Sequence, residues 1–183
     1  MSSLTNKQIL LGVTGGIAAY KSADLVSRLR KKGAQVKVVM TKRAEEFITP
    51  LTLRSLSGNE VATDMFSCPK EWEIQHISLA QWAEYIIIAP ATANIIGKVA
   101  SGIADDLLTT TVMATKAGVV MVPAMNTDMY NNPIVQRNIE LLSRHGYLFF
   151  GPAAGNLACG DKGTGRMEEP AAIVEFIERL AGT

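Results

Sequence analysis

Three short apolar runs, Gln8–Val13, 85–89 and 119–122, constrain this chain more than any other feature. They are rich in Ile, Leu and Val and show no alternation of apolar with polar residues. A strand with one wet face alternates, whereas a strand covered on both faces does not, so the runs predict central strands of a parallel sheet. After the first run, Thr14-Gly15-Gly16 breaks the strand, and Ala19, Ala23, Val26 and Leu29 recur at helical spacing through 17–32. Gly33 then supplies a helix stop and Gln35–Met40 a second branched run, which completes a βαβ unit. A shorter strand is expected at 148–150.

Helices are expected at 94–99 and 107–115, at 133–145 with Asn132 as N-cap and Pro133 at the first helical position, and at 170–180, where Ile173, Val174, Ile177 and Leu180 form one stripe. Segments 49–73 and 151–167 are expected to be irregular. Strands separated by helices define an α/β fold, here a single-domain, doubly wound, mostly parallel sheet over residues 1–183. Ligands in such sheets lie at the carboxyl ends of the strands, which directs attention to the loops opening at Thr14, Thr41, Pro90 and Pro123.

Composition removes several function classes. The 183 residues carry 18 Lys or Arg against 17 Asp or Glu, a formal net charge of +1. A nucleic-acid binder ordinarily needs a basic surface, so no nucleic-acid partner is expected. The longest uncharged stretches, 85–97 and 146–160, are shorter than the roughly 18 apolar residues of a spanning helix, and the start of the chain leaves no room for a signal segment. The expected location is the cytoplasm, with no membrane contact. Two cysteines, Cys68 and Cys159, and two histidines, His76 and His145, offer neither a disulfide framework nor metal-ligand spacing.

The strand–Gly15-Gly16–helix junction offers amides to a phosphate. The dinucleotide fingerprint GxGxxG is absent, and Met40-Thr41-Lys42-Arg43 stands where an acidic residue would meet ribose hydroxyls, so a dinucleotide is disfavoured and a mononucleotide favoured. Small residues before Asn94, in Ala89-Pro-Ala-Thr-Ala-Asn94, let a planar ring approach the backbone, unless this is an ordinary turn with Asn94 as helix cap. Asn126 could grip a carboxylate, with Met125, Met129 and Tyr130 as pocket walls, although methionines are commonly core filler. Cys159 lies in a Gly-rich loop with Lys162 and Arg166, cations that would lower its pKa, and Cys68 is assigned a structural role. His76 suits proton transfer, against the plainer reading of a satisfied helix-start residue. His145, before Gly146, reads as a helix C-terminal cation.

Taken together, Thr14-Gly-Gly-Ile-Ala-Ala-Tyr-Lys21, His76-Ile-Ser-Leu-Ala-Gln-Trp-Ala83, Pro90-Ala-Thr-Ala-Asn94, Pro123-Ala-Met-Asn-Thr-Asp-Met-Tyr130 and Leu157-Ala-Cys-Gly-Asp-Lys-Gly-Thr-Gly-Arg-Met167 resemble the flavin-containing cysteine decarboxylases over nearly the whole chain. Thr92 stands where Ser is common and Tyr130 where Trp is common. The resemblance implies a Rossmann-like flavoprotein with FMN, its phosphate at Gly15, Gly16 and Ile17, support from Thr41, and the ring near Thr92, Ala93, Asn94, Ile95 and Ala124. It implies that His76 assists thiol oxidation, that Asn126 holds the substrate carboxylate beside Met129, that Asn156, Leu157 and Ala158 clamp the substrate, and that Cys159 protonates the enethiol. The implied reaction is decarboxylation of 4'-phosphopantothenoylcysteine to 4'-phosphopantetheine in coenzyme A synthesis, redox-neutral overall, by a homo-oligomer that is a trimer or a dodecamer of trimers. The alternatives are a peptidyl-cysteine oxidative decarboxylase, which stops at the enethiol and lacks the complete Cys-containing loop, and a non-catalytic flavin-binding regulatory protein. Flavin prenyltransferases share the fold but not the His76 and Asn126 motifs.

Overall fold

The computed structural model describes residues 2–65, 74–156 and 162–182. The chain runs β1 (Gln8–Val13), a 3-10 turn (Ile17–Tyr20), α1 (Lys21–Lys31), β2 (Gln35–Met40), α2 (Pro50–Ser57), β3 (Val61–Ala62), α3 (Gln75–Trp82) and β4 (Tyr85–Ala91). It continues through α4 (Ala93–Ala100), α5 (Leu107–Ala114), β5 (Gly118–Pro123), α6 (Thr127–Asn131), α7 (Pro133–Arg144), β6 (Leu148–Phe149), β7 (Ala153–Asn156), β8 (Lys162–Arg166) and α8 (Pro170–Ala181). Six strands form one parallel sheet in the order β3-β2-β1-β4-β5-β6. The order reverses between β1 and β4, and at that switch point the flanking loops diverge and leave a crevice. Val13 pairs with Met40 and Gly12 with Ile88, so the carboxyl ends of β1, β2 and β4 finish side by side.

The non-alternating strands bury both faces. Ile9, Leu11 and Val13 point with Val36, Val38 and Ile87 into a core closed by α1, α2 and α8. Leu10, Val39, Ile86 and Ile88 point the other way, against α3, α4, α5 and α7. Gly12 faces this second layer because Leu108 occupies its side-chain space: a Cβ there would lie 2.6 Å from Leu108 Cδ1. On the first face, α8 buries Ile173, Val174 and Ile177. At roughly 1.5–3 kcal/mol for each fully buried aliphatic side chain, this stripe is a main attachment of α8 to the fold.

Two expectations are corrected. Segment 49–73 is not irregular throughout: Thr49 Oγ1 caps α2 by accepting from Thr52 N, Pro50 opens the helix, Gly58 ends it at φ 69°, and β3 follows. Segment 151–167 contains the antiparallel pair β7–β8, outside the main sheet. The short helix α6, between Pro123 and Pro133, was not anticipated either.

Candidate functional site

The loops leaving β1, β2, β4 and β5 surround a cleft of about 1110 Å³. Each loop expected from the sequence contributes to it. On the β1 side, Gly16 initiates the 3-10 turn in an extended conformation (φ −152°, ψ 157°). Ile17 and Ala18, which begin this turn, line the cleft. Gly15 is sterically required. A Cβ on it would lie 2.5 Å from Arg43 Cβ and 2.9 Å from the Arg43 carbonyl. The close approach of these two backbones brings Thr41, Lys42 and Arg43 to the lip of the cleft.

Thr41 precedes a second 3-10 turn without capping it, and its Oγ1 is buried with no hydrogen-bond partner. An orphaned buried hydroxyl costs about 1–3 kcal/mol, a penalty that a hydrogen-bonding group bound in the cleft would remove. Across the crevice, Thr92 caps α4, its Oγ1 accepting from Ile95 N at 3.4 Å. Thr92 is therefore the cap, not Asn94, which is exposed at the second helical position. Ile95 contributes to the cleft lining while its side chain lies in the second core.

Two buried hydroxyls fix these loops to one another. Thr14 Oγ1 donates to Pro90 O at 2.7 Å, and Ser22 Oγ donates to Ala89 O at 2.7 Å. Lys21 is 6% exposed, lines the cleft, and donates to Met167 O at 3.0 Å and Glu169 Oε1 at 2.9 Å. The hydrogen bond from Lys21 holds the Glu169 carboxyl below its ordinary value. Ser22 and Lys21 carried no role in the sequence reading; a polar residue on the buried face of α1 is the signal that was there to be found.

On the β5 side, Ala124 N donates to Ala91 O at 3.0 Å, which seats the loop against β4. Asn126 caps α6: its Oδ1 accepts from Asp128 N at 2.8 Å and Met129 N at 3.4 Å. Met125 and Met129 line the cleft, as expected for a wall. Tyr130 is not among the lining residues; its carbonyl accepts from Gln136 instead. Lys98, Asp105 and Asp106 line another part of the cleft and were not singled out from the sequence. Lys98 Nζ lies 2.7 Å from Asp105 and 3.4 Å from Asp106. The hydrogen bond to Asp105 raises the Lys98 pKa and lowers that of Asp105, so both carry their charges at neutral pH. The signal missed was Asp106-x-x-Thr109, which forms a reciprocal capping box at the start of α5.

His76 is not brought to this cleft. It is half-buried in the first turn of α3, and its Nδ1 is buried without a partner, as is Gln75 Oε1. The plain reading of a satisfied helix-start histidine therefore fails. His145 does close a helix as expected, its ring Nδ1 lying 2.8 Å from Leu141 O at the end of α7. Leu157, Ala158, Cys159 and Cys68 lie outside the described residues, as does the side chain of Asn156, whose backbone ends β7. Among the described residues there is no cluster able to hold a metal ion and no helix long and apolar enough to cross a membrane.

The switch-point crevice, the glycine-lined junction and the buried threonine hydroxyl, with no GxGxxG, define a mononucleotide-binding α/β domain. The model of the Flavoprotein family matches residues 1–182, and the chain belongs to that family. It is 53% identical over 180 residues to the coenzyme A biosynthesis bifunctional protein CoaBC of Vibrio vulnificus, covering 98% of this chain but 45% of that protein. The chain thus spans less than half the length of such relatives. Among solved structures, it resembles a cysteine-to-serine mutant of a PPC decarboxylase complexed with pantothenoylaminoethenethiol, with TM-score 0.90 and 33% identity over 97% of this chain and 100% of that one. It also resembles the FMN-dependent cysteine decarboxylase SpaF, with TM-score 0.84 and 32% identity over 98% of this chain and 99% of that one.

Proposed function

We propose that residues 1–183 act as one FMN-binding cysteine decarboxylase domain that converts 4'-phosphopantothenoylcysteine to 4'-phosphopantetheine in coenzyme A biosynthesis. The observation that carries this reading is that Gly15, Gly16 and Thr41, with its unpartnered buried hydroxyl, line the same cleft as Asn126. The cradle suits the FMN phosphate: Gly15 leaves no room for a side chain, Thr41 Oγ1 lacks a partner, and Lys42 and Arg43 add positive charge. Thr92, Ala93, Asn94, Ile95 and Ala124 would border the ring. The chemistry supplied by FMN when bound is two-electron oxidation of the substrate thiol and, after carbon dioxide leaves, return of the electron pair to the enethiol.

The chain's own residues divide the remaining work. Asn126 Nδ2 donates to the substrate carboxylate, and Met129 covers it. Neutral Asn releases carbon dioxide more readily than a cation would, because it does not hold the carboxylate as an ion pair. His76 takes the thiol proton, Asn156, Leu157 and Ala158 hold the substrate, and Cys159 returns a proton to the carbon skeleton. Because His76 does not line the cleft of its own chain, a homo-oligomer, trimeric or a dodecamer of trimers, presents His76 of one copy to the cleft of the next. The same reading makes this a cytoplasmic enzyme with a small-molecule substrate.

The deciding experiment incubates FMN-loaded protein with 4'-phosphopantothenoylcysteine, and in parallel with a cysteine-terminated peptide, and resolves products by mass. Loss of carbon dioxide from the first with a saturated thiol product is expected. Modification of the peptide to a product two hydrogens short would replace this reading with peptidyl-cysteine oxidation, and no product in either tube would leave a binding protein.

A further inference from the structure

Strand β8 approaches the Asn126 loop more closely than any side chain would permit. Met125 N donates to Gly165 O at 2.9 Å, and a Cβ on Gly165 would lie 2.2 Å from Met125 O. Gly165 also has φ +153°, where side chains are rarely tolerated. Two residues earlier, a Cβ on Gly163 would lie 2.3 Å from Thr127 Oγ1 and 3.1 Å from Thr127 Cβ. Thr127 Oγ1 is itself buried and makes no hydrogen bond. A threonine at the first position of a helix ordinarily keeps its hydroxyl in water or on a polar group, so here the polar partner has been given up for contact with β8.

We propose that Thr127, with Gly163 and Gly165, is a positioning element that registers β8 against the Met125–Thr127 segment and so fixes the direction of the Asn126 amide. The inference rests on the reading above for what Asn126 grips. Asn126 lies between the two contacts: Met125 before it is hydrogen-bonded to β8, and Thr127 after it is packed on β8. Its own Oδ1 ties it to Asp128 and Met129. Any shift of β8 is thus transmitted to the amide, and a misplacement of about 1 Å can cost about 100-fold in turnover. Thr127 touches neither reacting atoms nor cofactor in this scheme and acts only through Asn126.

The test is a cycle of Gly163→Ala, Thr127→Ala and the double variant in FMN-loaded protein. KM and kcat are measured with 4'-phosphopantothenoylcysteine, flavin content by absorbance, and exchange of the Met125 amide proton by hydrogen exchange. Gly163→Ala is expected to lower kcat about 100-fold and to raise KM at near-normal flavin content, and to lose protection at Met125. Thr127→Ala alone is expected to raise KM about tenfold, because the contact that registers β8 is lost, and the double variant to return to that level, because the clashing atoms are gone. Normal kcat and protection in Gly163→Ala, or a loss that the double variant does not relieve, would overturn the proposal. Absence of turnover in the unmodified protein would refute the functional reading instead, and the exchange cycle would still decide whether the lock exists.

Discussion

The two sides of the cleft stand on different parts of the fold. The side formed by the β1, β2 and β4 loops stands on the middle of the sheet and is made of backbone, glycine and buried hydroxyls: Thr14 is 2% exposed and Ser22 0%. The side formed by the β5 loop and the β7–β8 pair stands partly outside the main sheet, is joined through glycine and the Met125–Gly165 backbone hydrogen bond, and leaves Met129, on the cleft wall, 49% exposed. On the proposed reading, the first side would hold the FMN phosphate on contacts that also hold the core. On the same reading the second side governs the outcome of the reaction rather than cofactor retention.

Gly15→Ala is the severest test of that division. The added methyl meets Arg43 backbone and Cβ inside normal contact distance, and the two loops must part to admit it. We expect flavin affinity to fall by at least about 100-fold, checked by titrating apoprotein with FMN and following quenching of flavin fluorescence. Wild-type affinity would show that the cradle does not depend on this close approach. Asn126→Asp is the matching test on the other side. Aspartate is as good an N-cap as asparagine, so α6 should persist, while a carboxylate facing the substrate carboxylate is repelled. Turnover should drop about 100-fold or more with flavin content unchanged, and loss of flavin instead would erase the distinction between the sides. Thr41→Val tests the cradle more gently. It keeps the shape and removes the orphaned hydroxyl, so FMN affinity is expected to weaken about tenfold while thermal stability without FMN stays level or rises.

The same contrast explains what was legible in the sequence. Strands such as Gln8–Val13 and Gln35–Met40 announce themselves because burial on both faces demands unbroken branched apolar residues. The glycine pair and Thr41 were legible as cleft residues because they stand at the carboxyl ends of β1 and β2, where the crevice of such a sheet opens. The β7–β8 pair was not, since Ala153-Ala-Gly-Asn and Lys162-Gly-Thr-Gly-Arg lack both alternation and bulk; their pairing is set by docking on Met125 and Thr127, a tertiary matter. Helix α2 carried readable capping signals in Thr49, Pro50 and Gly58, but its eight residues were obscured by polar surroundings. Neither the closeness of Lys98 to Asp105 and Asp106 in the cleft nor the separation of His76 from it can be read from spacing along the chain.

The smallest expected effect concerns the joint between the two sides, where Lys21 of α1 meets Glu169 just beyond β8. Glu169 is more than half exposed and also meets Arg166, whereas Lys21 is buried and retains only Met167 O when Glu169 is neutralised. Solvent screening on the glutamate side limits the loss from Glu169→Gln to about 1 kcal/mol at neutral pH. The sign with pH follows from the lowered carboxyl value, whose chief cause is the hydrogen bond from Lys21. A carboxyl depressed in the folded state stabilises above its unfolded value and loses that contribution as pH falls through the folded one. The stability gap between the original protein and the Gln variant should therefore be full near pH 7 and narrow below about pH 4, as measured by urea unfolding at both values. A gap that persists in acid would mean that Glu169 acts by packing rather than by charge, and that the two sides of the cleft are joined by the Lys21–Met167 hydrogen bond alone.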